Sequence, residues 1–148
     1  MNEELITKSI LKWLIDNQWQ ILSYDFPQSG TGHVFQCNTS SSKNKESIIP
    51  DIVAIKCNTC VFFENKDRFC KKDFLKQQML ITNNQYSEAI EKFLIGYNIE
   101  NIYYGIGLPT AKYSSKQLKY NASVDFVIGV NKDKTINSIY TYNNDIFL

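Results

Sequence analysis

The sequence predicts an α/β or α+β domain in which helices cover the faces of one mixed β-sheet. Three observations lead to this fold class: an apolar helical stripe near the N-terminus, two adjacent β-rich runs typical of a hairpin, and further strand-like runs after a second helical region. Elements in such a mixed order pack as layers around one core. The chain has 148 residues, a length typical of one domain, so we expect a single domain over residues 1–148.

The first element is predicted to be an amphipathic helix over residues 3–17. Ile6, Ile10 and Leu14 recur at helical spacing along one stripe. Two acidic residues in the first turn suit the positive end of a helix dipole.

The other elements are predicted from short β-rich runs, from turn residues and from helical spacing of apolar residues. They are a strand over 20–26, a polar loop over 28–47, a hairpin over 48–66 with its turn at Asn58-Thr59, a helical region over 72–97 with a break near Asn83-Asn84, a strand over 99–108, a polar segment over 111–121, and strands over 123–130 and 136–142.

The charge balance limits the partners that the chain can bind. Lys and Arg total 16 and Asp and Glu total 15, for a net charge of +1. This excludes a strongly basic packaging protein, so binding to nucleic acid requires a local basic patch. No apolar run reaches the ~18 residues of a membrane helix, and no secretory signal is evident. We therefore expect a cytoplasmic protein with no membrane partner.

Three ionisable residues are predicted to meet at the open end of the hairpin. With the turn at Asn58-Thr59, Asp51 faces Lys66 and Val53 faces Glu64. Facing residues on paired strands share one side of the sheet, and so do alternate residues along a strand. Asp51, Glu64 and Lys66 are therefore expected to project from the same side.

This grouping indicates a metal-dependent phosphodiesterase centre. Two buried carboxylates repel each other unless a cation lies between them, and Mg²⁺ binds one or two carboxylates together with waters and phosphate oxygens. We expect Asp51 and Glu64 to bind Mg²⁺, with Mn²⁺ able to substitute, and Asn65 to add its backbone carbonyl. Lys66 would orient or activate the attacking water. The alternative is a surface ion pair at the end of the hairpin.

Pro50-Asp51, followed after twelve residues by Glu64-Asn65-Lys66, resembles the motif of the PD-(D/E)xK nuclease superfamily, which includes many type II restriction endonucleases. The predicted order αβββαβ is similar to the core of that family. The resemblance implies an α/β, restriction-endonuclease-like fold with a core over about 3–108 and a C-terminal strand extension over 109–148. It also implies metal binding by Asp51 and Glu64, assistance to the water by Lys66, and products with 5′-phosphate and 3′-hydroxyl ends.

The same resemblance suggests further site residues on the helices. Many family members use a glutamate of the first helix. The matches in this chain are Glu4 and then Glu3, and helical phase does not choose between them. Some relatives carry Gln or Lys in the helix after the motif, where Lys72, Lys76 and Gln77 are available.

A basic stretch follows the motif and is a candidate DNA-binding patch, with a solvated helix start as the alternative. It contains Arg68, Lys71, Lys72 and Lys76, and phosphate contacts of this kind supply most non-specific affinity. Arg68 is the best candidate for a bidentate contact. His33, in a glycine-containing turn, is a further candidate, with an ordinary loop histidine as the alternative.

The four cysteines also allow a zinc site, which we consider unfavourable. Two of them are expected at the turn of the hairpin and another beyond its open end, about 20 Å away, so reduced structural thiols are the preferred interpretation. The four are Cys37, Cys57, Cys60 and Cys70.

The expected function is that of a Mg²⁺-dependent endonuclease acting on double-stranded DNA, of the type II restriction class or a related defence class. Because the core occupies most of the chain, we expect a homodimer or a larger recognition subunit as partner. Two alternatives remain open: a structure-selective resolvase of the Holliday-junction type, and a non-catalytic DNA-binding or assembly subunit with the same fold.

Overall fold

The computed structural model describes residues 1–38 and 47–147, so part of the predicted polar loop over 28–47 lies outside the described residues. Within these ranges the chain forms helices, strands and two short 3-10 helices. They are α1 (Glu3–Asp16), β1 (Gln20–Tyr24), β2 (Ile52–Lys56), β3 (Thr59–Asn65), α2 (Lys71–Thr82), α3 (Ser87–Phe93), β4 (Asn101–Pro109), the 3-10 helices Thr110–Lys112 and Ser115–Ser123, β5 (Phe126–Val130) and β6 (Ile136–Thr141).

The strands form one six-stranded mixed sheet in the order β1-β2-β3-β4-β5-β6. The pairs β1-β2, β2-β3 and β5-β6 are antiparallel, whereas β3-β4 and β4-β5 are parallel. This open sheet with its helices confirms the α/β class. The break expected in the second helical region is also present, because α2 and α3 are separate helices.

Helix α1 covers one face of the sheet. The side chain of Asn2 accepts a hydrogen bond from the Leu5 amide and caps the first turn. This start directs Ile6, Ile10 and Leu14 into a fully buried cluster with residues of β2, β3 and β5. The stripe predicted from the sequence is therefore the core-facing side of α1.

Helix α2 covers the opposite face and is fixed to the sheet by a buried carboxamide. Nε2 of Gln77 donates to the carbonyl of Gly105 at 2.7 Å and to that of Phe62 at 3.3 Å. Gln77 is thus bound to both β3 and β4 and is almost fully buried. Because buried polar groups are normally hydrogen-bonded, these two bonds fix the position of the α2 turn that contains Gln77 relative to β3 and β4.

The hairpin turn lies one residue earlier than predicted. Lys56 pairs with Thr59 and Ile52 with Phe63, so the turn residues are Cys57 and Asn58 rather than Asn58 and Thr59. Asn58 binds the start of β4, since its carbonyl accepts from the amides of Glu100 and Asn101. Those tertiary contacts determine the turn, and the β-branched Thr59 joins the strand instead.

The correction shifts each pairing by two positions and leaves every side chain on its predicted side. The ladder ends at the pair Ile52 and Phe63, and the Asp51 amide donates to the Phe63 carbonyl, so Asp51 does not face Lys66 as expected. Because the side-chain period of a strand is two residues, Glu64 and Lys66 still share one side. Asp51 lies at the same open end of the hairpin, where its Oδ2 accepts from the Asn65 amide.

The described residues contain no helix that is both long enough and apolar enough to cross a lipid bilayer.

The turn can be tested by glycine substitution. Cys57 has φ 54°, a left-handed conformation that costs non-glycine residues about 1–2 kcal/mol. We expect Cys57→Gly to raise the free energy of unfolding by about 0.5–1 kcal/mol, after the entropy cost of glycine is subtracted, as measured by urea denaturation. Asn58→Gly is the control and should lower it, because the Asn58 side chain binds Glu100. A stabilising Asn58→Gly with a destabilising Cys57→Gly would contradict the observed turn.

Candidate active site

The candidate site lies where β3 and β4 end and where α1 and α2 begin. Glu64 and Asn65 are the last residues of β3, and Asp51 directly precedes β2. In parallel strands the carboxyl ends meet at one edge of the sheet, and loops beyond that edge commonly form sites. The observed topology therefore brings the whole Pro-Asp and Glu-Asn-Lys motif to one edge.

Asp51 is held in position by backbone hydrogen bonds. Its amide donates to the Phe63 carbonyl at 3.0 Å, and its Oδ2 accepts from the Asn65 amide at 2.7 Å. Burial, with the neighbouring Glu64 carboxylate second, raises the pKa of Asp51 from 3.8 to about 8. The carboxyl group is thus fixed and unfavourably charged in the absence of a cation.

Glu64 is paired with a lysine of α2. Its side chain is only 12% exposed, and Oε1 lies 3.4 Å from Nζ of Lys76. Burial raises the pKa of Glu64, the Lys76 ammonium opposes this shift, and the Asp73 carboxylate adds to it. The Lys76 ammonium also lowers the pKa of Asp51, so it partly compensates both carboxylates.

Lys66 interacts electrostatically with Glu64 but forms its ion pair with α1. Nζ lies 3.4 Å from Oε1 of Glu3. Burial by itself lowers the pKa of Lys66, but the carboxylates of Asp73 and Glu3 raise it overall. Lys66 therefore carries a proton at neutral pH and acts as a hydrogen-bond donor.

Of the two helix-1 glutamates that the sequence left open, the structure places Glu3 beside Lys66. Glu4 pairs with Lys8 at 3.0 Å on the exposed side of α1. Glu3 precedes Ile6 by three residues and Ile10 by seven, so it shares their side of the helix. The Asn2 cap fixes this phase by setting where α1 begins.

Asn65 projects its side chain to the opposite face, as the alternation predicts. Nδ2 donates to Oγ1 of Thr7 at 3.0 Å, while Oδ1 is buried with no hydrogen-bond partner among the described residues. The close approach requires glycine at 107, because a Cβ there would lie 2.3 Å from Oδ1 of Asn65. This contact anchors α1 to the end of β3 and so positions Glu3.

Asp73 is a site residue that the sequence analysis did not identify. It lies in the first turn of α2 and is buried. Its carboxylate raises the pKa of both Glu64 and Lys66, and Oδ2 has no hydrogen-bond partner within the described ranges. The only feature of Asp73 in the sequence is its position at the start of a helix. Acidic residues are common there because they stabilise the helix dipole.

The candidate DNA-binding residues are separated by the structure. Arg68 is exposed and bonds to the adjacent Asp67 at 2.8 Å, and Lys71 and Lys72 are exposed at the start of α2. The His33 ring instead packs on aromatic rings of Phe35 and Phe93, with centroid distances of 4.7 and 4.3 Å. The structure does not bring His33 to the carboxylates.

The arrangement fits a cation that takes few protein ligands. Among residues 1–38 and 47–147, no three His, Cys, Asp or Glu side chains are grouped so as to hold a metal by themselves. Two adjacent carboxylates, one of them with a strongly raised pKa, are the donor set that Mg²⁺ uses when waters and phosphate complete its shell. The four cysteines are free thiols.

The raised pKa of Asp51 predicts how the stability of the metal-free protein depends on pH. The folded protein keeps this proton up to about pH 8, whereas the unfolded chain releases it near pH 4. The folded state therefore binds more protons between these values, and the free energy of unfolding should fall as the pH rises, by up to about 1.4 kcal/mol per pH unit.

Urea denaturation in EDTA at pH 5, 6, 7 and 8 measures this slope. Asp51→Asn should flatten it, whereas the exposed Asp145→Asn should not. Saturating Mg²⁺ should also reduce the slope, because a bound cation favours the ionised carboxylates. Equal slopes for the wild type and Asp51→Asn would contradict the account of Asp51.

No family model matches the chain, and no curated protein or solved structure is significantly similar to it. The functional interpretation therefore depends on the geometry of the site and on the motif itself.

Proposed function

We propose that the chain is a Mg²⁺-dependent endonuclease acting on double-stranded DNA, of the type II restriction class or a related defence class. The observation that carries the proposal is the pairing of Asp51 and Glu64 at one edge of the sheet, where burial and mutual repulsion raise the pKa of Asp51. A site made only for stability would not require this arrangement, because buried like charges are unfavourable.

The topology supports a finer assignment of the fold. Helix α1, the antiparallel β1-β2-β3 unit, α2 and the parallel β4 follow in the order αβββαβ. We infer a restriction-endonuclease-like core, with β5 and β6 as the C-terminal extension. The motif would then lie at the position in the sheet where that family has its active site.

Asp51, Glu64 and the carbonyl of Asn65 are the proposed ligands of Mg²⁺. When bound there, the ion supplies Lewis-acid activation of a water and neutralises charge on the phosphate. The Asn65 amide occupies Oδ2 of Asp51, which orients the carboxylate and leaves Oδ1 available. Hydrogen bonding of one oxygen in this way fixes the ligand geometry before the cation binds.

Lys66 is the proposed donor to the reacting groups. Because carboxylates of Asp73 and Glu3 raise its pKa, it keeps its proton and can donate to the attacking water or to a phosphate oxygen. A fixed ammonium next to the phosphate stabilises negative charge that develops in the transition state. Glu3 positions Lys66 through their ion pair.

A plasmid cleavage assay tests the proposal. The wild-type protein with Mg²⁺ should convert supercoiled DNA to nicked and linear forms with 5′-phosphate ends. Asp51→Ala and Lys66→Ala should each lower the rate at least about 100-fold, the scale of losing one transition-state stabilising group, with unchanged circular dichroism. Lys12→Ala on the exposed side of α1 is the matched control and should retain activity.

The pattern of products separates the alternatives. Discrete bands indicate a restriction enzyme, whereas selective cutting of four-way junctions would replace that class by a resolvase. Equal behaviour of the wild type and both site variants would contradict a catalytic site and would favour a non-catalytic DNA-binding or assembly subunit. Sedimentation of the active species would test whether a homodimer or a larger recognition subunit is required.

A further inference from the structure

Five exposed lysines form a cationic surface beside the candidate site. They are Lys71 and Lys72 at the start of α2, and Lys112, Lys116 and Lys119 in the 3-10 segment over 110–123. We call these five residues the basic surface. None of them forms an ion pair with any described residue.

Aromatic packing joins the two parts of the basic surface. Phe69, just before α2, and Phe74, in its first turn, pack on Tyr113 and Tyr120, with centroid distances between 5.2 and 6.2 Å. These rings belong to one apolar cluster with residues of β4 and β5. The 3-10 segment is therefore held against the start of α2, so the two lysine-bearing segments are neighbours.

The 3-10 segment is also fixed internally. Ser114 and Gln117 form a capping box, and the Tyr113 hydroxyl donates to the carbonyl of Gln117 at 2.9 Å. Nζ of Lys119 lies 5.3 Å from the centroid of the Tyr120 ring, within the range of a cation–π contact. The lysines are thus presented by a constrained backbone, which reduces the entropy lost when they bind a ligand.

The basic surface lies at the same edge of the sheet as the carboxylates. The Lys66 amide donates to the Gly107 carbonyl at 2.9 Å, and β4 leads directly into the 3-10 segment. A recess of about 410 Å³ is lined by both Asp67 and Lys112. Ligands held at this edge can therefore contact the basic surface and the candidate site together.

The 3-10 segment itself contains no acidic residue. No Asp or Glu occurs from 101 to 124, although the whole chain has a net charge of only +1. In α2, Asp73 is buried. A cationic patch on an almost neutral protein indicates a specific anionic partner rather than general solubility.

We propose that the basic surface binds the phosphate backbone of duplex DNA, with the 3-10 segment over 110–123 as a backbone-positioning element next to the catalytic edge. The proposal rests on the proposed nuclease function and adds Lys112, Lys116 and Lys119 to its binding residues. Lysines that neutralise phosphates release counterions, so each contact steepens the salt dependence of binding. The contacts fix the position of the duplex without reading its sequence.

The salt dependence of DNA binding tests the proposal directly. Fluorescence anisotropy with a labelled 24-base-pair duplex in EDTA, at several NaCl concentrations, gives the slope of log K against log[salt]. The triple variant Lys112→Gln, Lys116→Gln, Lys119→Gln should make this slope less negative by about 2–3, since each lost contact contributes about 0.9. Its affinity at low salt should fall by about tenfold or more.

A charge-matched control separates local contacts from net charge. The triple variant Lys12→Gln, Lys56→Gln, Lys92→Gln loses the same charge at positions away from this edge and should keep the wild-type slope. The proposal is overturned if both triple variants show the wild-type slope, if both lose slope equally, or if duplex RNA competes more strongly than duplex DNA of equal length.

The cleavage assay distinguishes this inference from the nuclease proposal. A lysine-dependent slope in a protein that cleaves no DNA supports the basic surface and contradicts the catalytic assignment. Metal-dependent cleavage by a protein whose slope does not change in the Lys112, Lys116, Lys119 variant contradicts the basic surface alone.

Discussion

The close approach of two buried carboxyl groups, Asp51 and Glu64, is the constraint around which the rest of the site is organised. Asp51 directly precedes β2 and Glu64 lies near the end of β3, so both are at the open end of the hairpin, and burial raises the pKa of both. In the metal-free protein, neighbouring groups partly compensate the free-energy cost of burying the two carboxyl groups. Lys76 contacts Glu64, and the Asn65 amide binds Asp51. A divalent cation would favour the ionised form of both groups, which is the basis of the metal site that we propose.

The fold provides three rigid supports for this edge. Gln77 binds α2 to the backbones of β3 and β4 and thereby sets the position of its neighbour Lys76. Thr7 binds α1 to Asn65, and Gly107 permits that close approach. The aromatic cluster around Phe74 holds the 3-10 segment beside α2. Side chains on helices and strands that are fixed in this way keep a more precise geometry than side chains on free loops.

Much of the fold could be predicted from local sequence patterns, and the errors have physical causes. The apolar stripe of α1 and the β-rich runs determine their elements locally, so these predictions agree with the structure. The predicted turn was wrong by one residue because Asn58 binds β4, a tertiary contact that no local pattern contains.

The residues of the candidate site were harder to predict. The choice between Glu3 and Glu4 required the helix phase that the contacts of Asn2 and Thr7 set. His33 packs on Phe93, which is distant in sequence. Asp73 and the lysines of the 3-10 segment carry no motif, and only the packing of the elements brings them to the edge.

We propose that Asp51 and Glu64 together bind one divalent cation. Anomalous diffraction from crystals soaked in Mn²⁺ measures this directly, because the ion is located without reference to activity. We predict an anomalous peak in contact with the carboxylates of Asp51 and Glu64 and with the carbonyl of Asn65, and no such peak in crystals of Asp51→Asn. A map of the wild-type protein with no peak at this position, and with Lys76 still paired with Glu64, would contradict the account.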